Sequence, residues 1–94
     1  MKPKYKIGDK IKLTSDALEN YGEGYKNTVL EITHIATSYM PAKEYYAKGQ
    51  PSSYHPGFDS SAESALYDFK NFPNSLYEWE MKKVYFALDN LPDK

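Results

Sequence analysis

Two pairs of side chains in this sequence have the residue types and spacing for acid–base or metal chemistry. His55 and Asp59 lie four positions apart and offer two metal ligands or an acid–base couple. Glu78 and Glu80 lie two apart, which on a strand places both carboxylates on one face, as in a glycosidase pair. Pro56-Gly57 instead favours an ordinary turn, with Asp59 bonded to a loop amide. The structural interpretation is the stronger one, because metal sites normally need at least three protein ligands.

The rest of the chemical inventory is sparse. The chain has no cysteine, which removes disulfides, thiolate nucleophiles and thiolate zinc sites. It also has no G-x-S-x-G, no glycine-rich phosphate loop and no H-E-x-x-H sequence. His34 is either an inward, titratable histidine or a structural residue of its strand. We therefore expect a protein that is not an enzyme and has no cofactor and no bound metal.

Tyrosine is the unusual feature, because ten tyrosines, four phenylalanines and one tryptophan are too many for the core of so small a domain. Residues 39–64, rich in proline, glycine and serine and without a hydrophobic period, are predicted to be one long loop that holds several of these rings. Tyrosine gives large contact area at low rotamer cost in interfaces. The predicted partner-binding residues form an aromatic surface on this loop: Tyr45, Tyr46, Tyr54, His55 and Phe58. Equally open is the alternative that several rings fold back over the domain as a lid.

Lysines are concentrated at the start of the chain, where five stand against one acid in the first twelve residues. The alternative binding site is a positive stripe for a nucleic-acid backbone, made by Lys4, Lys6, Lys10 and Lys12. Against it, all 12 basic residues are lysine and the net charge is −1, whereas arginine usually reads phosphates and bases. Lysines on an edge strand also prevent aggregation. We expect a protein partner first and nucleic acid second.

The elements that must position these residues are mostly short strands. Alternating or β-branched segments predict strands at residues 5–13, 28–37, 65–69 and 75–84, the last interrupted by a tight turn. A capped helical turn is expected over 14–21, ending at Gly22. Ile32 and Ile35 have opposite parity in the central strand, so we expect a bulge near Thr33-His34. The predicted core is Ile11, Leu13, Val29, Ile32, Leu66, Phe69, Leu76 and Trp79.

Length and composition fit one domain over residues 1–94. A chain of 94 residues allows one core, and 40% hydrophobic with 27% charged residues is ordinary globular composition. We predict a mainly β class, a small antiparallel barrel of about five strands, with the loop 39–64 and a C-terminal tail 85–94 covering one end. No window has about 18 consecutive apolar residues, and the start lacks the apolar core of a signal peptide. We therefore expect a cytoplasmic location.

An ordered set of motifs spans residues 4–84. Its segments are KIGDKIKL (6–13), DALENYG (16–22), THIATS (33–38), HPGFD (55–59), LYD (66–68) and SLYEWE (75–80). This order resembles SH3-like barrels, including KOW-type domains and the barrel of nitrile hydratase beta subunits. It is more closely similar to a family of small proteins encoded by bacteriophages and prophages, relative to which residues 39–53 look like an insertion. The resemblance implies an SH3-like (KOW-like) barrel and a phage or prophage origin in a bacterial host, and it supplies no reaction.

Overall fold

The computed structural model of the chain describes residues 2–84, and the predicted tail 85–94 lies outside the described residues. The described part forms six strands: β1 Lys10–Leu13, β2 Leu30–Tyr39, β3 Ser53–His55, β4 Leu66–Phe69, β5 Phe72–Tyr77 and β6 Met81–Lys83. It also forms two short helices, α1 Ser15–Tyr21 and α2 Ala42–Ala47, and two 3-10 turns, Glu23–Tyr25 and Glu78–Glu80. No helix in this range is long and apolar enough to cross a membrane. The predicted mainly β class is confirmed.

The strands hydrogen-bond in the order β5-β4-β2-β1-β6, and every neighbouring pair in that order is antiparallel. The remaining strand, β3, pairs with the end of β2 in parallel, with Tyr39 opposite His55. A parallel pair needs a crossover connection, and α2 lies in the segment that joins the two strands. Residues 2–84 therefore form six strands where about five were predicted, and one of their pairings is not antiparallel.

The segment 39–64 was wrongly predicted to be one loop, because it contains both α2 and β3. Helix α2 begins after Pro41, consists of good helix formers around two tyrosines, and ends before Gly49, whose φ of 74° suits a residue without a side chain. An ion pair four residues apart, Lys48 Nζ to Glu44 Oε1 at 2.9 Å, lies on its exposed side. Six residues are too few to show a hydrophobic period, and Tyr45 is the helix's single buried residue.

The bulge predicted in the central strand is confirmed. The register between β2 and β4 shifts between Ile32 and His34, so that Ile32 pairs with Phe69 while His34 pairs with Asp68. The extra residue at the shift is Thr33, which is exposed. Ile32 is thereby kept in the core while His34 is left half-buried beside the carboxylate of the neighbouring strand.

Six of the eight predicted core residues are buried, and two are not. Val29, just before β2, is half-buried. Trp79 is 60% exposed, so its placement in the core was wrong. The chain is not extended in the 3-10 turn Glu78–Glu80, so the alternation of side chains along a strand does not determine which side Trp79 faces. The indole instead stacks on Tyr77, with ring centroids 4.7 Å apart.

Tyr67, the largest fully buried side chain among the described residues, connects the start of the chain to the sheet. Its hydroxyl accepts hydrogen bonds from the backbone N–H groups of Lys4 (3.1 Å) and Tyr5 (3.2 Å). The same hydroxyl donates to Glu78 Oε2 at 2.6 Å, and that oxygen also accepts from the Lys4 N–H at 2.9 Å. Burial first, and the bond to Glu78 second, raise the pKa of Tyr67 well above its ordinary value. One hydroxyl thus joins the chain start, β4 and the second 3-10 turn.

Candidate functional site

A cleft of about 600 Å³ lies between the face of the sheet and the segment that connects β2 to β4. This segment carries α2 and β3, and we call it the crossing segment. We call the cleft itself the tyrosine cleft. Its sheet side is formed by Thr33, His34, Asp68, Phe69, Phe72, Pro73 and Ser75, and the crossing segment contributes Tyr45, Tyr46, Gly49, Gln50 and His55. Its volume lies in the range of small-ligand sites, roughly 300–1,000 Å³. The elements that sequence analysis merged into a loop therefore form one wall of a cleft.

Strand register brings the polar floor of the cleft together. His34 on β2 is the direct cross-strand partner of Asp68 on β4. Side chains directly opposite each other in an antiparallel pair share a face of the sheet. On the next strand, β5, the Ser75 hydroxyl donates a short hydrogen bond to Asp68 Oδ1. Three adjacent strands thus contribute one polar residue each to the same floor.

His55, carried over the floor by β3, completes this cluster. Its Nδ1 accepts a hydrogen bond from the Gly57 N–H at 2.8 Å, so the proton of the neutral ring is on Nε2. Nε2 lies 3.3 Å from Asp68 Oδ2 and 3.2 Å from Ser75 Oγ. Asp68 therefore accepts a hydrogen bond from the Ser75 hydroxyl on one oxygen, and the His55 ring lies within ion-pair distance of the other.

This serine, histidine and aspartate do not have the geometry of a nucleophile relay. In such a relay one imidazole nitrogen takes the serine proton while the other donates to the carboxylate. Here both Ser75 and Asp68 lie against the same nitrogen of His55, and the other nitrogen is occupied by a backbone amide. The serine hydroxyl donates directly to the carboxylate. The arrangement orients Asp68 and does not activate Ser75.

The acid–base or metal couple suggested by spacing is not formed, because His55 pairs with Asp68 and not with Asp59. Asp59 Oδ1 accepts from the backbone N–H of Ser61 at 2.9 Å and from its hydroxyl at 2.7 Å. These two bonds lower the pKa of Asp59. Within residues 2–84, no three histidine or acidic side chains converge as a metal site would require.

The two glutamates of the other candidate pair serve separate structural contacts on the second 3-10 turn. Glu78 accepts from Tyr67, as described above. Glu80 Oε1 accepts from the Tyr77 N–H at 2.9 Å, and its Oε2 accepts from the Tyr21 hydroxyl at 3.4 Å. Burial, together with the negative charge of Glu80, raises the pKa of Tyr21. Both carboxylates are committed to holding the turn against its neighbours.

Of the five predicted partner-binding residues, two are well exposed and two are buried. Tyr46 is 64% exposed and Tyr54 39%, and His55 is half-buried in the cleft. Tyr45 is only 3% exposed and Phe58 6%, which corrects the predicted exposed surface at these two positions. The alternative in which rings fold back over the domain therefore holds for Tyr45 and Phe58. The alternative in which rings lie on the surface holds for Tyr46 and Tyr54.

The buried rings are held by specific contacts. Tyr45 packs edge-to-face on Tyr46 (centroids 5.1 Å apart) and on His34 (5.9 Å), and lies tilted against His55 at 5.5 Å. Burial raises the pKa of Tyr45, and the negative charge of Asp68 raises it further. Phe58 packs elsewhere, with Ala36 and Leu66.

The crossing segment is also bonded to the sheet below it. His34 Nε2 donates to the backbone carbonyl of Tyr54 at 2.8 Å, since a carbonyl can only accept. This bond adds to the parallel pairing of β3 with β2. One wall of the tyrosine cleft is therefore fastened to its floor by both main-chain and side-chain contacts.

The four candidate nucleic-acid-binding lysines do not share one strand. Lys4 and Lys6 precede β1, and Lys10 Nζ makes an ion pair with Glu31 Oε1 at 3.3 Å. Lys12 on β1 is the direct cross-strand partner of Lys82 on β6. Like charges directly opposite each other destabilise a sheet. Sequence analysis did not identify Lys82, because only the pairing of the first and last described strands brings it to Lys12.

The chain was compared with protein-family models, with curated proteins and with solved structures, and none of the three comparisons finds a match.

Proposed function

We propose that this protein is a non-enzymatic interaction module that binds a segment of a partner protein in the tyrosine cleft. The observation that carries the proposal is the cleft itself, about 600 Å³ in volume, with Tyr46 64% exposed beside it. Exposed tyrosines of this kind supply large contact area at low entropic cost. We further propose an SH3-like barrel of phage or prophage origin, acting in the cytoplasm of a bacterial host, from the motif resemblance.

The strand order supports the SH3-like part of the proposal. Strand β1 lies between the last described strand, β6, and β2, and a 3-10 turn joins β5 to β6. SH3-like barrels use this order and place a 3-10 turn before their last strand. The crossing segment with α2 and β3 is then an addition to that plan, in agreement with the insertion inferred at residues 39–53.

The polar floor supports a binding role. Asp68 is oriented by Ser75 and His55 before any partner arrives. A group that is already oriented loses little conformational entropy when it binds, which raises affinity. His34 also bonds the Tyr54 carbonyl, which holds the crossing segment against the floor of the cleft.

The proposal is tested by selecting a displayed random-peptide library against the whole chain. We expect enrichment of related peptides that bind the wild type and bind the Tyr46→Ser variant at least about tenfold more weakly, the loss typical of an interface anchor. Tyr39→Ser is the matched control, because Tyr39 is similarly exposed and does not line the cleft. Failure to enrich any peptide, or equal binding by the two variants, would contradict the proposal.

A second candidate is a KOW-like nucleic-acid-binding module that uses Lys4, Lys6, Lys10 and Lys12. The observation that favours it is the pairing of Lys12 with Lys82, since an anion lying over both lysines would remove their repulsion. Retention on immobilised single-stranded oligonucleotide should then fall steeply with added salt, and the Lys12→Ala variant should elute earlier than the wild type. Retention that Tyr46→Ser abolishes and Lys12→Ala leaves unchanged would instead place the contact in the cleft.

A further inference from the structure

Resting on the proposed function, we infer that the tyrosine cleft receives a cationic side chain of the partner, a guanidinium or ammonium group, with the Asp68 carboxylate as its counter-ion. Among the described residues that line the cleft, Asp68 is the one with a formal charge at neutral pH. The other lining groups are hydroxyls, amides, the imidazoles of His34 and His55, and rings. The cleft therefore has a net negative charge concentrated at one point of its floor.

The carboxylate of Asp68 has the capacity to accept further hydrogen bonds. Its two oxygens have about four acceptor positions, of which Ser75 uses one on Oδ1, while the His55 ring lies 3.3 Å from Oδ2. The side chain is 28% exposed, so a ligand can reach it. Both of these neighbouring groups are uncharged, because the Nδ1 of His55 is the acceptor of the Gly57 N–H and the ring is neutral in this geometry.

No lysine within residues 2–84 lies within ion-pair distance of Asp68. The ion pairs of this part of the chain that involve lysine are elsewhere: Lys10 with Glu31, Lys48 with Glu44, and Lys83 with Asp9. A partly buried carboxylate beside neutral groups gains Coulomb attraction from a cation, which neutral donors cannot supply. The site thus lacks the component that a cationic ligand would bring.

The rings of the cleft suit the same class of ligand. Tyr45 and Tyr46 meet edge-to-face at 5.1 Å, and the Tyr46 side chain is 64% exposed. Aromatic faces attract ammonium and guanidinium groups, and the apolar stems of lysine and arginine pack along rings. Burial first, and the negative charge of Asp68 second, raise the pKa of the Tyr45 hydroxyl. The negative potential that opposes a phenolate at that position favours a cation.

Other classes of side chain fit less well. An acidic group would meet the Asp68 charge at short range and be repelled. An apolar group would cover Asp68 without replacing the water that now solvates it, and burying an unpaired charge is costly. Charge therefore selects the ligand class in this cleft, while the rings provide contact area.

The test uses blocked tripeptides of glycine, a central residue and glycine, titrated into the isotopically labelled whole chain and followed by NMR. The central residue is arginine, lysine, the neutral arginine isostere citrulline, or glutamate. We expect saturable shifts at Asp68, Gln50 and Tyr46 with arginine and lysine and not with the other two. The Asp68→Asn variant should bind the arginine peptide at least about tenfold more weakly. Glu44→Gln is the matched control, because Glu44 is an exposed carboxylate on α2 outside the cleft.

Equal shifts with arginine and citrulline would overturn this inference, as would unchanged binding by Asp68→Asn. If Asp68→Asn does not fold, the comparison of arginine with citrulline on the wild type decides alone. The outcome is separable from that of the proposed function. Peptides selected from the library without any cationic residue, but dependent on Tyr46, would overturn the cationic ligand and leave the interaction module in place.

Discussion

Replacing Tyr67 with phenylalanine removes one oxygen from a buried side chain whose hydroxyl makes three hydrogen bonds. The ring keeps its size, so its edge-to-face packing on Tyr5, with centroids 5.7 Å apart, is retained. What is lost is the acceptor for the N–H groups of Lys4 and Tyr5 and the donor to Glu78. Lys4 keeps a second acceptor, because its N–H also bonds Glu78 Oε2 at 2.9 Å. The loss therefore falls mainly on the Tyr5 amide and on the Glu78 carboxylate.

The magnitude follows from the kind of bond removed. A hydrogen bond to a charged group contributes roughly 1.5–3 kcal/mol, and a neutral one about 1 kcal/mol. Solvent that reaches Glu78, which is half-buried, restores part of this loss. We expect Tyr67→Phe to lower the free energy of unfolding by about 2 kcal/mol, which corresponds to roughly 8–16 °C in Tm for a domain of this size.

Urea denaturation followed by circular dichroism, together with a thermal scan, measures this change. Tyr39→Phe is the matched control, because it removes the same oxygen from an exposed tyrosine and should change stability by less than about 0.5 kcal/mol. If Tyr67→Phe is as stable as the control, the hydroxyl does not fasten the chain start to the sheet, and the reasoning from these contacts is wrong.

Three further outcomes are expected. Tyr21, Tyr45 and Tyr67 have pKa values raised above the ordinary value, so the unfolded chain loses their protons first. The contribution of these three groups to stability should be constant well below about pH 10 and fall as the pH rises through that value, with late tyrosinate absorbance coinciding with unfolding; complete ionisation in the folded state would contradict this. Tyr45→Ser should lower the free energy of unfolding, measured by urea denaturation, by about 3 kcal/mol or more, because it leaves a cavity at a buried site; an unchanged midpoint would exclude a structural role for Tyr45. Lys82→Glu should raise the free energy of unfolding by a few tenths of a kcal/mol to about 1 kcal/mol at low salt, because it places a negative charge opposite Lys12; an increase that persists at high salt would not be electrostatic.

Local sequence patterns predict those parts of the fold in which apolar and polar residues alternate over enough positions for the alternation to be recognised. Alternation identified Ile11 and Leu13 as the buried face of β1, and the clash of parity between Ile32 and Ile35 predicted the bulge that the register of β2 confirms. Helix α2 has six residues and one buried side chain, so it shows no period. Strand β3 is held by parallel pairing with β2, which no local pattern of three residues can specify. Trp79 was misplaced because a 3-10 turn interrupts the alternation that put it inside.

The aromatic residues of the candidate site could be predicted from the sequence, but the polar cluster on its floor could not. The surplus of tyrosines pointed to the segment that holds Tyr46, but burial of Tyr45 depends on how α2 lies on the sheet. His55 was assigned its nearest acid in sequence, whereas its carboxylate partner is Asp68, on a strand whose position depends on long-range pairing. One signal was available. His34 and Asp68 are titratable residues within strands of apolar neighbours, and such residues on adjacent strands can be cross-strand partners.

The crossing segment is inserted between two strands that pair directly with each other, and this makes it easy to lengthen. Strands β2 and β4 pair directly with each other, from Ile32 to Ala36 on β2. The residues that connect them therefore leave the sheet and return to it, and the strand order β5-β4-β2-β1-β6 does not include β3. Lengthening such a connection is thermodynamically cheap, about 0.6 kcal/mol for each doubling of length. Natural variation or laboratory insertion can therefore lengthen the wall near the exposed Tyr46 while Asp68 and Ser75 keep their places on β4 and β5, so that one scaffold can acquire new binding preferences without a new fold.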